Sequence, residues 1–241
     1  MAVNANVFNP RVAERKLVLA AAVGFPLVVL AGYFKSYYFS AFFADSRPIA
    51  NTLVHVHGLV MSAWVLYFVA QVALIRTRNV KLHMAMGLGG IALALAVIIV
   101  GMATAYDAQI VRGAGPAGIN PHSFFIFPVS DMTLFVIFFA AAIYYRKRSA
   151  EHKTLMLLTA INFVPAALFR IPAVAPDYMV FWAFGAPALL AVGILAWHTR
   201  KHGKINRVFA AGVGLLVVMI PLRLIISESH AWLSFVGWIA P

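Results

Sequence analysis

The chain has 241 residues, of which 63% are hydrophobic and 11% charged, and it contains no cysteine. A water-soluble domain carries about a quarter charged residues, so this composition excludes a soluble globular protein, and the missing cysteines exclude disulfides, thiolate metal sites and cysteine nucleophiles. The formal net charge of +12 would point to nucleic acid only if the cations formed one exposed patch; they sit instead in short loops between apolar runs, as topology signals facing anionic lipid.

Residues 1–16 are polar and end in RVAERK. The apolar run 17–34 is long for a secretory signal core and no small-residue cleavage motif follows it, so it is read as a retained first membrane helix, kinked at Pro26. Tyr37, Tyr38, Phe39, Phe42 and Phe43 then form an aromatic belt of the kind found at a membrane interface. The second helix, 54–75, begins HVHGLVMSAWVLYFVAQ; from His55 onward it is roughly 31 Å long, enough to cross a bilayer core. The third covers 83–106, and a Gly/Pro-rich loop, DAQIVRGAGPAGINP, separates it from the fourth at 122–145. The fifth covers 152–171, the sixth 178–197 and the seventh 208–226. The last stretch, 227–241, is too short to span and carries Trp232 and Trp238, which makes it an interfacial helix. The expected fold is therefore all-α: one membrane-embedded domain over 1–241 with seven transmembrane helices.

An odd number of crossings fixes which loops share a side. Arg11, Arg15 and Lys16; Arg76, Arg78 and Lys81; Arg146, Lys147, Arg148 and Lys153; and Arg200, Lys201, Lys204 and Arg207 fall on one side, fourteen of the nineteen cations. By the positive-inside rule that side is cytoplasmic, which places the N-terminus inside and the C-terminus outside, in a membrane expected to be the bacterial inner membrane.

Four helices carry a histidine in or beside the first turn: His57, His83, His122 and His152. His57 and His122 begin helices that enter from outside, His83 and His152 helices that enter from the cytoplasm. Two imidazoles facing each other at each level are what bis-histidine haem ligation requires, with iron held between ring nitrogens of different helices. His55 and His57 are two residues apart and point nearly opposite ways; His57 is favoured because its stripe continues through Met61, Trp64, Phe68 and Gln71.

With these residues the chain resembles the di-haem transmembrane cytochromes b, in which four consecutive helices each give one histidine, paired second with fourth and third with fifth. The resemblance covers roughly residues 50–172 and leaves helices one, six and seven outside. HGLVMSAWVLYFVAQ, LHMAMG and HKTLMLL also look like uncharacterised bacterial multi-span proteins with histidine-then-basic helix starts. The resemblance implies one or two b-type haems, one between His57 and His122 and one between His83 and His152, and an electron-transfer partner or quinone. His83 and His152 depart from the pattern by sitting at the edge of their spans rather than a turn or two deeper. Anionic propionates would be met by Arg170 and Arg223 at the outer level and by Arg78, Lys81 and Lys153 at the inner one. Gly58 and Gly87 would let a flat macrocycle approach the backbone.

Asp131 falls about 13 Å into the fourth helix, near the midplane, where an unpartnered carboxylate is costly. Asn162 reaches a similar depth from the other side, so a hydrogen bond between them is expected, with a proton-relay or quinone-contact role as the sharper alternative. Pro128, Pro165, Pro187 and Pro221 each interrupt a span and free backbone carbonyls. Two readings stand beside the haem-bearing electron carrier: a haem-free accessory or scaffold subunit of a larger membrane complex, and an outer-face metal site built from His55 or His57 with His122 and His230. No phosphate loop, HExxH pair, serine-nucleophile motif or regular arginine series is present.

Overall fold

The computed structural model describes residues 10–43, 49, 51–116, 118–171 and 178–241, with side chains from residue 16 onward. The terminus 1–9, the side chains of Arg11 and Arg15, and Arg47 lie outside the described residues. Every regular element among the described residues is helical. In chain order these are α1 (Pro10–Tyr33), α2 (Thr52–Arg76), α3 (Val80–Tyr106), the single turn α4 (Pro121–Phe124), α5 (Ile126–Tyr144), α6 (Ser149–Leu168), α7 (Ala186–His202), α8 (Arg207–Ser227) and α9 (His230–Ile239). Wide π turns follow α1 (Phe34–Tyr38), follow α3 (Asp107–Val111) and precede α7 (Phe181–Gly185).

Among the described residues, six helical stretches are long and apolar enough to cross a membrane: Lys16–Tyr38, Thr52–Arg76, Val80–Val111, Pro121–Tyr144, Phe181–His202 and Arg207–Ser227. The chain is an integral membrane protein. The segment expected as the fifth span forms α6, but it is not one of these six. Glu151, His152, Lys153, Thr154, Thr159 and Asn162 make it too polar. It can be so because it is enclosed: twelve of its residues are buried, against three in the longer α2. α6 is the hub of the bundle, packed on α1, α5, α7 and α8.

Short turns make sequential neighbours antiparallel. Residues 77–79 join α2 to α3, and the Asn79 side chain accepts a hydrogen bond from the Leu82 amide to start α3. Gly203, with φ of +64°, ends α7, and the Asn206 side chain accepts from the Phe209 amide to start α8. One core cluster, around Leu134, Phe138, Leu158 and Phe209, binds α5, α6, α7 and α8. A second, around Trp64, Phe68, Val97, Phe135 and Phe163, binds α1, α2, α3, α5 and α6.

Two boundaries differ from the sequence reading. The loop expected to begin at Asp107 stays helical to Val111, because DAQIV holds no helix breaker and the glycines start only at Gly113. The Asp107 carboxylate there accepts from Asn51 Nδ2 at 2.9 Å and from Arg112 Nε at 2.8 Å, tying the end of α3 to the residue that caps α2. The span 122–145 breaks at Phe125, so Pro128 falls in the first turn of α5, where a missing N–H costs little. α1 remains helical through Pro26. The C-terminal segment forms α9, which is docked: Trp232 Nε1 donates to the His122 carbonyl at 3.0 Å, and Tyr106 Oη donates to the Ile239 carbonyl at 2.7 Å.

Candidate functional site

The inner histidines meet. His83, in the first turn of α3, and His152, in the first turn of α6, have ring centroids 6.4 Å apart with planes at 79°. His152 Nδ1 lies 2.8 Å from the Ala142 carbonyl at the end of α5. A carbonyl only accepts, so Nδ1 carries the proton and Nε2 keeps its lone pair. This is the arrangement in which a ligating imidazole is oriented by a backbone carbonyl behind it. His83 Nδ1 is buried and has no hydrogen-bond partner among the described residues. One turn on from His83, Gly87 opens onto free space, with nothing within 4 Å of where a Cβ would stand. On the same side of α3, Tyr67 Oη donates to the Met86 carbonyl at 2.8 Å and accepts from Gln71 Nε2 at 2.6 Å. Gln71 Oε1 is a second buried atom lacking a partner.

A second polar centre lies where α5, α6, α7 and α8 converge. Arg223 Nη1 donates to Asp131 Oδ1 at 3.0 Å, and only 3% of the arginine side chain and 16% of the aspartate side chain are exposed. The Arg223 guanidinium also lies 4.4 Å from the centre of the Phe184 ring and 5.7 Å from that of Phe127. Its Nε donates to the Met219 carbonyl within α8. Asn162 Nδ2 donates at 2.8 Å to the backbone carbonyl of Asp131 rather than to its carboxylate. Asp131, Asn162, Pro165, Pro187 and Arg223 line a cavity of about 10 Å³, room for a single water.

The helices that carry the outer histidines have different principal neighbours. α2, with His57, packs on α1 and α3, whereas α4, with His122, packs on the 107–111 turn, α5, α8 and α9. His57 Nδ1 is buried without a partner among the described residues. The face of Gly58 that the sequence reading left open to a macrocycle is filled by Tyr37: a Cβ at Gly58 would stand 2.2 Å from that ring, whose Oη donates to the His55 carbonyl. Arg170 stacks over Tyr33 at 4.3 Å and donates to the Ala166 carbonyl. Arg223 is paired with Asp131, so both arginines expected to meet outer propionates have protein partners. His230 Nδ1 lies 3.4 Å from Ser234 Oγ. Among the described residues no three His, Asp or Glu side chains gather to hold a metal ion, so the expected outer cluster of His55 or His57, His122 and His230 does not form.

No known protein family, curated protein or solved structure matches the chain. A metal ion held at about 2 Å by one nitrogen of each of two imidazoles separates the ring centroids by roughly 6 Å, and the inner pair fits that spacing. Sequence reasoning missed the Arg223–Asp131 pair and the Tyr67–Gln71 contact. The first had a partial signal, since a carboxylate deep in an apolar helix needs a partner or a proton. The second had none, because a tyrosine and a glutamine one turn apart are common on any helix.

Proposed function

We propose that this chain is a b-type haem protein of the bacterial inner membrane that carries electrons across or within the bilayer, with one haem iron ligated by His83 and His152. α6 is taken as a seventh crossing, with the N-terminus in the cytoplasm; the histidine pair then lies near the cytoplasmic end of the bundle. The observation that supports this reading is the meeting of the two imidazoles, with His152 Nε2 left available by the bond from Nδ1 to Ala142. Haem iron supplies one-electron chemistry there. The chain's own residues orient the ligands: the Ala142 carbonyl fixes the tautomer of His152, and exposed Arg78 and Lys81 beside His83 offer cations to propionates.

Purified protein is expected to show a Soret band that shifts on dithionite reduction. His83→Ala and His152→Ala should each abolish the band, while His57→Ala and His122→Ala leave it in place. A colourless wild-type protein, supplied with haem during expression, overturns the reading. The filled face of Gly58 and the protein partners of Arg170 and Arg223 favour a second reading, a haem-free accessory subunit. Colourless protein that copurifies with a defined membrane complex would carry that one.

A further inference from the structure

A groove runs between α1 and α7 on the surface of the bundle. It is lined by Lys16, Leu17 and Ala20 from α1 and by Leu189, Leu190, Gly193, Ile194 and Trp197 from α7, and it is a shallow, open slot of about 620 Å³. α1 and α7 both pack on α6, which keeps them apart and leaves the space between them open to lipid. The groove has a direction. Lys16 is near the start of α1 and Trp197 is five residues from the end of α7, so the two ends that meet there belong to the side of the bundle where α7 turns into α8. From Trp197 the α7 wall descends eight residues to Leu189, about 12 Å, close to the depth of one leaflet's hydrocarbon. Leu189 and Leu190 are 74% and 55% exposed, too open for packed core and well placed for an acyl chain.

We infer that this groove binds one anionic glycerophospholipid, its acyl chain along Leu17, Ala20, Leu190 and Gly193 and its phosphate at Lys16. Charge complementarity selects the occupant. The apolar slot ends at an exposed lysine, beside an indole at the interfacial level, and exposed Arg200 follows Trp197 by one turn on the same face of α7. A transmembrane helix from another protein would be offered an uncompensated ammonium at this point; a phosphodiester neutralises it. Basic pockets between membrane helices are suited to anionic head groups, and each cation near the head group is worth about fivefold in affinity. The groove shares no residue with the histidine pair or with the Asp131 centre, so this proposal does not depend on the haem reading.

The test is native mass spectrometry of the purified full-length chain in detergent, titrated with dioleoyl phosphatidylglycerol or dioleoyl phosphatidylcholine. Wild type is expected to retain one phosphatidylglycerol at least tenfold more strongly than phosphatidylcholine. Gly193→Leu fills the slot without meeting protein, since nothing lies within 4 Å of a Cβ there, and it should lose the bound lipid with its melting temperature unchanged. Gly214→Leu, at an equally open exposed position on α8, should bind as wild type does. Lys16→Ala with Arg200→Ala should erase the preference between the two lipids while leaving weak binding of both. Equal retention of both lipids by wild type, or full binding by Gly193→Leu, overturns the proposal. So does a wild-type dimer that Gly193→Leu converts to monomer, which would give the groove to a second copy.

Discussion

Asp131 and Arg223 form an ion pair that is largely withdrawn from the surface. Removing one partner of a buried ion pair leaves the other uncompensated, at a cost of about 3–5 kcal/mol, whereas replacing both with apolar residues of similar volume is often neutral. Asp131→Leu and Arg223→Met are each expected to lower the unfolding free energy in detergent by that amount, and the double variant to recover most of the loss. Additive losses in the double variant would mean that the two side chains are stabilised by other contacts. The need for a partner at Asp131 was legible in the sequence, from depth alone. The partner's identity was not, because Arg223 sits four residues from the end of α8 and its long side chain reaches inward to the carboxylate. Position along a helix gives the height of a Cα, not of a guanidinium. The same limit applied to the histidines. Which ones begin a helix was readable from the chain, but whether two rings meet depends on which helices are neighbours.

At the scale of the helices, small residues decide how closely they approach. Gly32 of α1 lies against the backbone of α6: a Cβ there would stand 2.4 Å from the Ala167 carbonyl oxygen. Backbone cannot swing aside as a flexible side chain does, so a larger residue must separate the two helices. Gly32→Leu is expected to destabilise the protein by about 1–3 kcal/mol through overpacking, measured as a lower midpoint of thermal unfolding in detergent; an unchanged midpoint would show that α1 is free to slide on α6. Helix positions were legible because apolar runs between basic turns have no other stable form in lipid. The π turns at Asp107–Val111 and Phe181–Gly185 were not, since one extra residue per turn leaves no compositional trace. Nor was the docking of α9, whose bonds from Trp232 and to Ile239 join residues more than a hundred positions apart.

At the scale of the whole molecule, the number of crossings turns on α6. The absence of native cysteine makes this directly testable with single cysteines and a membrane-impermeant maleimide. Ala114→Cys lies between α3 and α4, and Lys204→Cys between α7 and α8, both at exposed positions. Seven crossings put them on opposite faces, so Ala114→Cys should react in intact cells and Lys204→Cys only after permeabilisation. Labelling of both from the same face would mean that α6 does not cross. By sequence, 152–171 counts as a span like the others, yet α6 is not apolar enough to be one of the six, and its polar residues are enclosed by neighbouring helices instead. That shielding has a bearing on biosynthesis. When α6 leaves the ribosome, α1 and α5 have already been made, while α7 and α8 have not, so only one side of its cradle exists. If the labelling shows that α6 crosses, a segment too polar to partition into hydrocarbon unaided would have to be admitted together with α5 as a hairpin, and the order of translation would be part of how this bundle assembles.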